Sequence, residues 1–176
     1  MTGLPVLPKL MIMTLSLIDF IKVDQDILDL VAKFIGQLYV TSFIVDEVNA
    51  IDNESELIDL GLSVIVPNTE DVDAAIEQSR SLSFEDLTCL FTATRRNLTC
   101  VTNDIRLRKF CEKEGVSTLW GLELVIELHN FCAITGKEAI DFAKNLRLSN
   151  PKYITEDIIS RFTDRIKKLD EHISQI

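Results

Sequence analysis

Two aspartates stand where helices are expected to begin: Asp86, in the stretch LSFED (82–86), and Asp104, in TNDIRLR (102–108). A helix over 84–96 puts Asp86 on the same face as Cys89, Leu90 and Ala93. A third acid, Glu47, falls in the apolar stripe Ile44, Val48 and Ile51 of a helix expected over 43–51. A carboxylate among apolar side chains is costly unless something pairs with it. His129 and His172 stand alone in the sequence, so three carboxylates without a His or Cys partner suit a hard cation such as Mg²⁺ or Mn²⁺. Such a cluster can orient a water, lower its pKa and stabilise the charge that develops on a phosphodiester. Plainer roles also fit. Acids in the first turn of a helix cap free N–H groups and complement the dipole, and Glu47 can sit at the edge of its stripe and reach water. Arg95, Arg96, Arg106, Arg108 and Lys109 lie close in sequence to the aspartates, a local basic excess in a chain of net charge −10. They could border the acids and hold a phosphate backbone, or form a solvated face paired with Glu112 and Glu114.

These residues need a frame. Short apolar runs at 10–15, 38–40, 63–66, 99–101 and 116–119 alternate with helical patterns at 17–34, 43–51, 54–60, 71–81 and 84–96 and from Asp104 to Gly115. That alternation predicts an α/β fold with a central parallel sheet of about four to five short strands, flanked by helices and joined by right-handed crossovers. Sites in such sheets lie beyond the carboxyl ends of the strands, and Asp104 is there by sequence order. The helix over 71–81 is polar and expected on the surface. From Trp120 onward three amphipathic segments, 120–130, 136–146 and 155–173, form a helical tail, with Pro151 separating the last two.

Composition bounds the function. The chain is 47% hydrophobic over 176 residues, which suits a globular protein with a buried core. Its net charge of −10 argues against a protein that coats nucleic acid non-specifically. Four cysteines occur with no C-x-x-C pair, consistent with reduced thiols in a cytoplasmic protein. The apolar run 10–18 follows Lys9 but is too short to span a bilayer and has no small-residue cleavage site after it. It reads as a buried first strand, with no membrane partner.

LSxxD at 82–86, TNDxRLR at 102–108 and then Gly115-Val116 closely resemble the PIN domain family, to which the VapC-type toxin nucleases belong. Upstream, YVTS (39–42) and VDEV (45–48) look like that family's second motif, in which a glutamate heads the metal site. The resemblance runs from about Leu10 to Leu128. It implies a three-layer PIN-like domain over 1–130 with a helical extension, 131–176, packed on the same domain. It also implies a Mg²⁺- or Mn²⁺-dependent endoribonuclease acting on RNA, with an antitoxin protein and a homodimer as further partners. By position, Glu47, Asp86 and Asp104 become the catalytic, metal-binding acids, and Thr14, Thr102 and Asn103 line the pocket with Met13.

Met13 is the departure. The family's first strand ends in an aspartate followed by Thr or Ser; here Thr14, Leu17 and Ile18 fit the pattern but Met13 occupies the acid's place. Its thioether is soft and a poor ligand for Mg²⁺. Asp19, the nearest carboxylate, falls on the following helix. Weak or absent cleavage is therefore expected, and a degenerate domain that binds RNA or protein is the alternative to an active ribonuclease.

Overall fold

The computed structural model describes residues 8–48 and 54–173. Among them, five short segments pair into one sheet: β1 (Leu10–Ile12), β2 (Leu38–Thr41), β3 (Leu62–Ile65), β4 (Thr99–Val101) and β5 (Thr118–Leu119). Every pairing is parallel, and the order across the sheet is β3-β2-β1-β4-β5. Leu10 lies between Leu38 and Thr99, and Met11 between Tyr39 and Cys100. All three residues of β1 are buried, which explains an apolar run with no polar alternation.

From β1 the chain steps one way, to β2 and β3, and then crosses to β4 and β5 on the other side. Right-handed crossovers therefore put α1 (Thr14–Asp24), α2 (Asp26–Phe34) and α4 (Glu54–Asp59) on one face. They put α5 (Thr69–Gln78), α6 (Phe84–Arg96) and α7 (Ile105–Lys113) on the other. The short α3 (Ser42–Glu47) packs on β2 and α6. The direction of winding reverses between β1 and β4, and the crevice beyond their carboxyl ends is where such sheets place ligands. The α/β class, the parallel sheet and the helical tail are as the sequence predicts.

Several boundaries differ, each for a physical reason. The run 10–15 is not all strand: β1 stops at Ile12, Met13 is extended, and α1 begins at Thr14. A short apolar run cannot by itself distinguish a strand from the start of a buried helix. The helix expected over 17–34 is two helices, broken at Gln25, where the Asp24 carboxylate accepts the Asp26 N–H at 3.1 Å. The expected 43–51 helix ends at Glu47; Ile51, placed on its stripe, lies outside the described residues. At the end of α6, Asn97 adopts the left-handed conformation (φ 54°) and Leu98 N–H returns to the Ala93 carbonyl at 2.9 Å, which turns the chain sharply into β4.

The surface helix expected over 71–81 is α5, which starts earlier, at a capping box between Asn68 and Asp71. It docks on α6 through charge. Buried Asp71 accepts from Thr92 Oγ1 at 3.0 Å and from Arg95 Nη2 at 2.7 Å. An apolar-periodicity argument misses such an attachment because its partners are more than twenty residues apart.

The tail consists of α8 (Gly121–Asn130), α9 (Gly136–Ser149) and α10 (Glu156–Ile173). Helix α8 packs on α2, α9 on α1, and α10 on both α8 and α9. Phe142 of α9 meets Phe20 of α1 with ring centroids 5.3 Å apart, and Leu146, Ile159, Phe162 and Ile166 join the same hydrophobic core as the sheet. Replacing Phe142 with Ala should cost about 3–5 kcal/mol. Urea denaturation followed by far-UV circular dichroism and by Trp120 fluorescence should still give one coincident transition. Two separated transitions would mean the tail folds independently.

Candidate functional site

The residues at the carboxyl ends of β1 and β4 are tied together by the backbone. Met13 N–H donates to the Val101 carbonyl at 3.1 Å, and Thr102 N–H donates to the Leu119 carbonyl at 3.0 Å. The Ser16 hydroxyl accepts the Asn103 N–H at 3.2 Å. Thr102 Oγ1 accepts the Asp104 N–H at 3.1 Å. Asn103 Oδ1 accepts the Gly121 N–H at 2.9 Å, and a Cβ at position 121 would come within 3.0 Å of Phe20 and 3.2 Å of Asn103, so a side chain there would press on both. Thr14, Thr102 and Asn103 are all buried, and so is Met13, at 0% exposure.

Asp104 is the N-cap of α7. Its Oδ1 accepts from the N–H groups of Arg106 (2.7 Å) and Leu107 (3.3 Å), and its Oδ2 faces the Tyr153 hydroxyl at 3.4 Å. One oxygen is thus committed to helix capping. Asp86 lies in the first turn of α6, its N–H donated to Ser83 Oγ at 3.1 Å, but its Oδ1 is buried and has no partner. Burial pushes its carboxyl up from the ordinary aspartate value; Ser83 and Thr14 oppose the shift, and the Asp104 charge adds to it. Glu47 ends α3 and is exposed, so the periodicity that put it on the core side of its helix overstated its burial. Desolvation still raises its pKa, with Glu85 and Asp86 adding to the effect. The Thr14 hydroxyl faces both the Asp86 and Glu47 carboxylates without good hydrogen-bond geometry to either.

The acids therefore share one edge of the sheet and feel one another's charge, yet they do not close into a ligand cage. Among the described residues, no three His, Cys, Asp or Glu side chains converge closely enough to hold a cation together. The position that directly follows the central strand is Met13, whose thioether does not suit a hard cation. Asp19 cannot take its place. Its carboxylate points to the tail and accepts from Asn150 Nδ2 at 2.8 Å, and burial raises its pKa. This donor set does not fit a directly coordinated Mg²⁺ or Mn²⁺.

The five basic residues are not one patch. Arg106, Arg108 and Lys109 are on the first turns of α7, beside Asp104. Arg106 Nη2 donates to the Ser81 carbonyl, and Lys109 is exposed. Arg95 and Arg96 sit at the far end of α6, about 14 Å along its axis from Asp86 at about 1.5 Å per residue. Arg95 is occupied by Asp71, and Arg96 lies near Lys9 and Leu98 at the amino edge of the strands. Two residues that sequence spacing did not single out belong to the site. Tyr153 reaches Asp104 from the tail, and Trp120 carries the Arg108 guanidinium 4.0 Å from its ring centroid. Burial lowers the Arg108 pKa, and its Nη1 has no partner. Trp120 at the end of the last strand was the available sequence signal; nothing in the spacing pointed to Tyr153.

Cys89, Cys100 and Cys111 are buried, Cys132 is exposed, and all four are free thiols. Among the described residues no helix is long and apolar enough to cross a membrane. Compared with protein-family models and with curated proteins, the chain matches none.

Asp86 binds its proton more tightly folded than unfolded. It therefore costs stability above its folded pKa, and that cost disappears below the ordinary aspartate range near pH ~4. Asp86→Asn should accordingly be more stable than the parent at pH 7, with the gain fading as the pH falls through that range. Thermal melts across pH 3.5–8 check this; a gain independent of pH, or a loss at pH 7, would contradict the assignment.

Proposed function

We propose that this protein is a degenerate PIN-type domain: it binds RNA at the carboxyl edge of its sheet and cleaves it slowly or not at all. The observation that carries this is Met13, fully buried at the end of the central strand. The family it resembles uses a metal-binding aspartate at that position. Two further features support the reading. Asp86 and Asp104 hold the motif positions of that family on adjoining helix starts, and Asp104 spends one oxygen on capping. Arg106 and Lys109 on the first turns of α7 offer cations to a phosphate beside those acids.

In this account the chain's own residues bind and orient. Lys109 meets backbone phosphate, Thr102 and Asn103 fix the loop that carries Asp104, and the Thr14 hydroxyl stands between Glu47 and Asp86. The setting is the cytoplasm. A protein partner of the antitoxin kind and a second copy of the chain belong to the same proposal, since the resembled family pairs in both ways.

One observation favours retained cleavage instead: Asp86 keeps a buried, unpartnered Oδ1 and a raised pKa, which a divalent cation would relieve. The two are separated by Met13→Asp, assayed on fluorescently labelled single-stranded RNA with Mn²⁺. The proposal predicts little cleavage by the chain as it stands and at least about a tenfold increase in the variant, within the 10–100-fold scale by which groups around a metal change activity. Brisk cleavage by the unaltered chain that Asp86→Asn or Asp104→Asn abolishes would establish an active enzyme. Cleavage that neither change affects would mean the site lies elsewhere.

A further inference from the structure

A cavity of about 370 Å³ opens between α8 and α10, with Asn103, Trp120, Ile158 and Phe162 in its wall and Arg161 and Arg165 at its rim. It adjoins the acidic edge: Asn103 precedes Asp104 in the chain, and Tyr153, which faces Asp104, precedes the cavity residue Ile154. The wall is mainly apolar and aromatic. Its buried polar residue is Asn103, which is 1% exposed, while the Glu123 carboxylate lines it beside the two arginines. With Oδ1 held by the Gly121 N–H at 2.9 Å, Nδ2 is the amide atom left over, and it is buried with no acceptor. A buried donor pair without a partner is costly to keep; Asn103 lines the cavity, and a turn of its amide toward it would present Nδ2 to a ligand that brings an acceptor. A second orphan donor lies close by, the Nη1 of Arg108, whose guanidinium covers Trp120.

The volume is near the lower end of the ~300–1,000 Å³ range of small-ligand pockets. That is room for one planar group and its sugar, and too little for a folded peptide segment. Arg161 is exposed and pairs with Asp157 on its own helix, and Arg165 is held by Glu123. Exposed pairs of this kind contribute little, so an incoming phosphate can compete for either arginine.

We propose that this cavity receives a nucleobase. A base carbonyl oxygen accepts from Asn103 Nδ2, the ring packs against Trp120 and Phe162 as bases do on aromatic walls, and the attached phosphate meets Arg161 or Arg165. The site lies outside the acidic edge and would hold a nucleotide flanking the backbone bound there. The choice of occupant rests on the RNA reading above; the demand for an acceptor does not.

Trp120 is the only tryptophan in the chain, so its fluorescence reports the cavity directly. Titration with uridine 5′-monophosphate should quench it saturably, while ribose 5-phosphate, which lacks the base, should not. Ile158→Phe, which fills the cavity from a partly exposed position, should weaken the nucleotide at least tenfold. Arg161→Ala, at a side chain 80% exposed and harmless to folding, should weaken the nucleotide but leave uridine unchanged. Absence of quenching, equal quenching by ribose 5-phosphate, or affinity unchanged in both variants overturns the proposal. Anisotropy with labelled single-stranded RNA separates the two readings. RNA binding without nucleotide quenching sinks the cavity proposal alone; nucleotide quenching without RNA binding supports the cavity and sinks the RNA reading.

Discussion

The structure depends on the pairing of β1 between β2 and β4. Its three residues are all buried; Leu10 and Met11 pair with β2 and all three pair with β4, and buried backbone groups in a sheet centre are costly to leave unpaired. Because the register is set on both edges, the positions of the following residues are set too. Met13 is held by Val101, and Thr14 starts a helix directly over the crevice. Ser16, one turn into that helix, fastens the Asn103 loop at the end of β4. The site is in effect the pair of chain ends that this strand aligns, and a substitution at position 13 acts at its centre.

Much of the frame was legible because it is local. Alternating short apolar runs and helical patterns give the parallel sheet, and Ser83, Asp104 and Gly115 mark helix ends through ordinary capping chemistry. What was not legible depends on partners distant in sequence. The apolar run 10–15 changes from strand to helix at Thr14 because tertiary burial, not propensity, decides a short apolar segment. Glu47 falls on an apolar stripe by periodicity, but α3 ends there and leaves it exposed. Asp71 finds Thr92 and Arg95, and Asp19 finds Asn150, across separations that no local pattern encodes. The basic group is the clearest case. Arg95 and Arg106 are close in sequence, but β4 runs between them and leaves them at opposite edges of the sheet.

The carboxyl edge is also where polar atoms go unsatisfied. Asp86 Oδ1, Thr14 Oγ1, Thr41 Oγ1, Asn103 Nδ2 and Arg108 Nη1 are buried there without a hydrogen-bond partner; away from this edge, His129 Nε2 lies 3.0 Å from the Asp170 carboxylate and Asp71 is held by Arg95. Folding alone does not favour that arrangement, since each such group is costly. Unpartnered buried polar atoms gathered at one edge are the pattern expected of a surface kept for binding. The acids carry the same tension: burial and mutual repulsion hold the Asp86 and Glu47 carboxyls above their ordinary values. A fourth carboxylate at position 13 would sharpen that repulsion unless a cation accompanied it, so a neutral, apolar side chain there lets the remaining acids coexist without metal.

That claim, that Met13 leaves an acidic edge able to fold without a divalent cation and unable to hold one tightly, is tested most directly by calorimetric titration of Mn²⁺ into the unaltered chain and into the Met13→Asp variant. The account predicts no saturable binding at micromolar Mn²⁺ for the chain as it stands and a single tighter site in the variant, lost again when Asp86→Asn is added. Stoichiometric micromolar binding by the unaltered chain, abolished by Asp86→Asn, would contradict it.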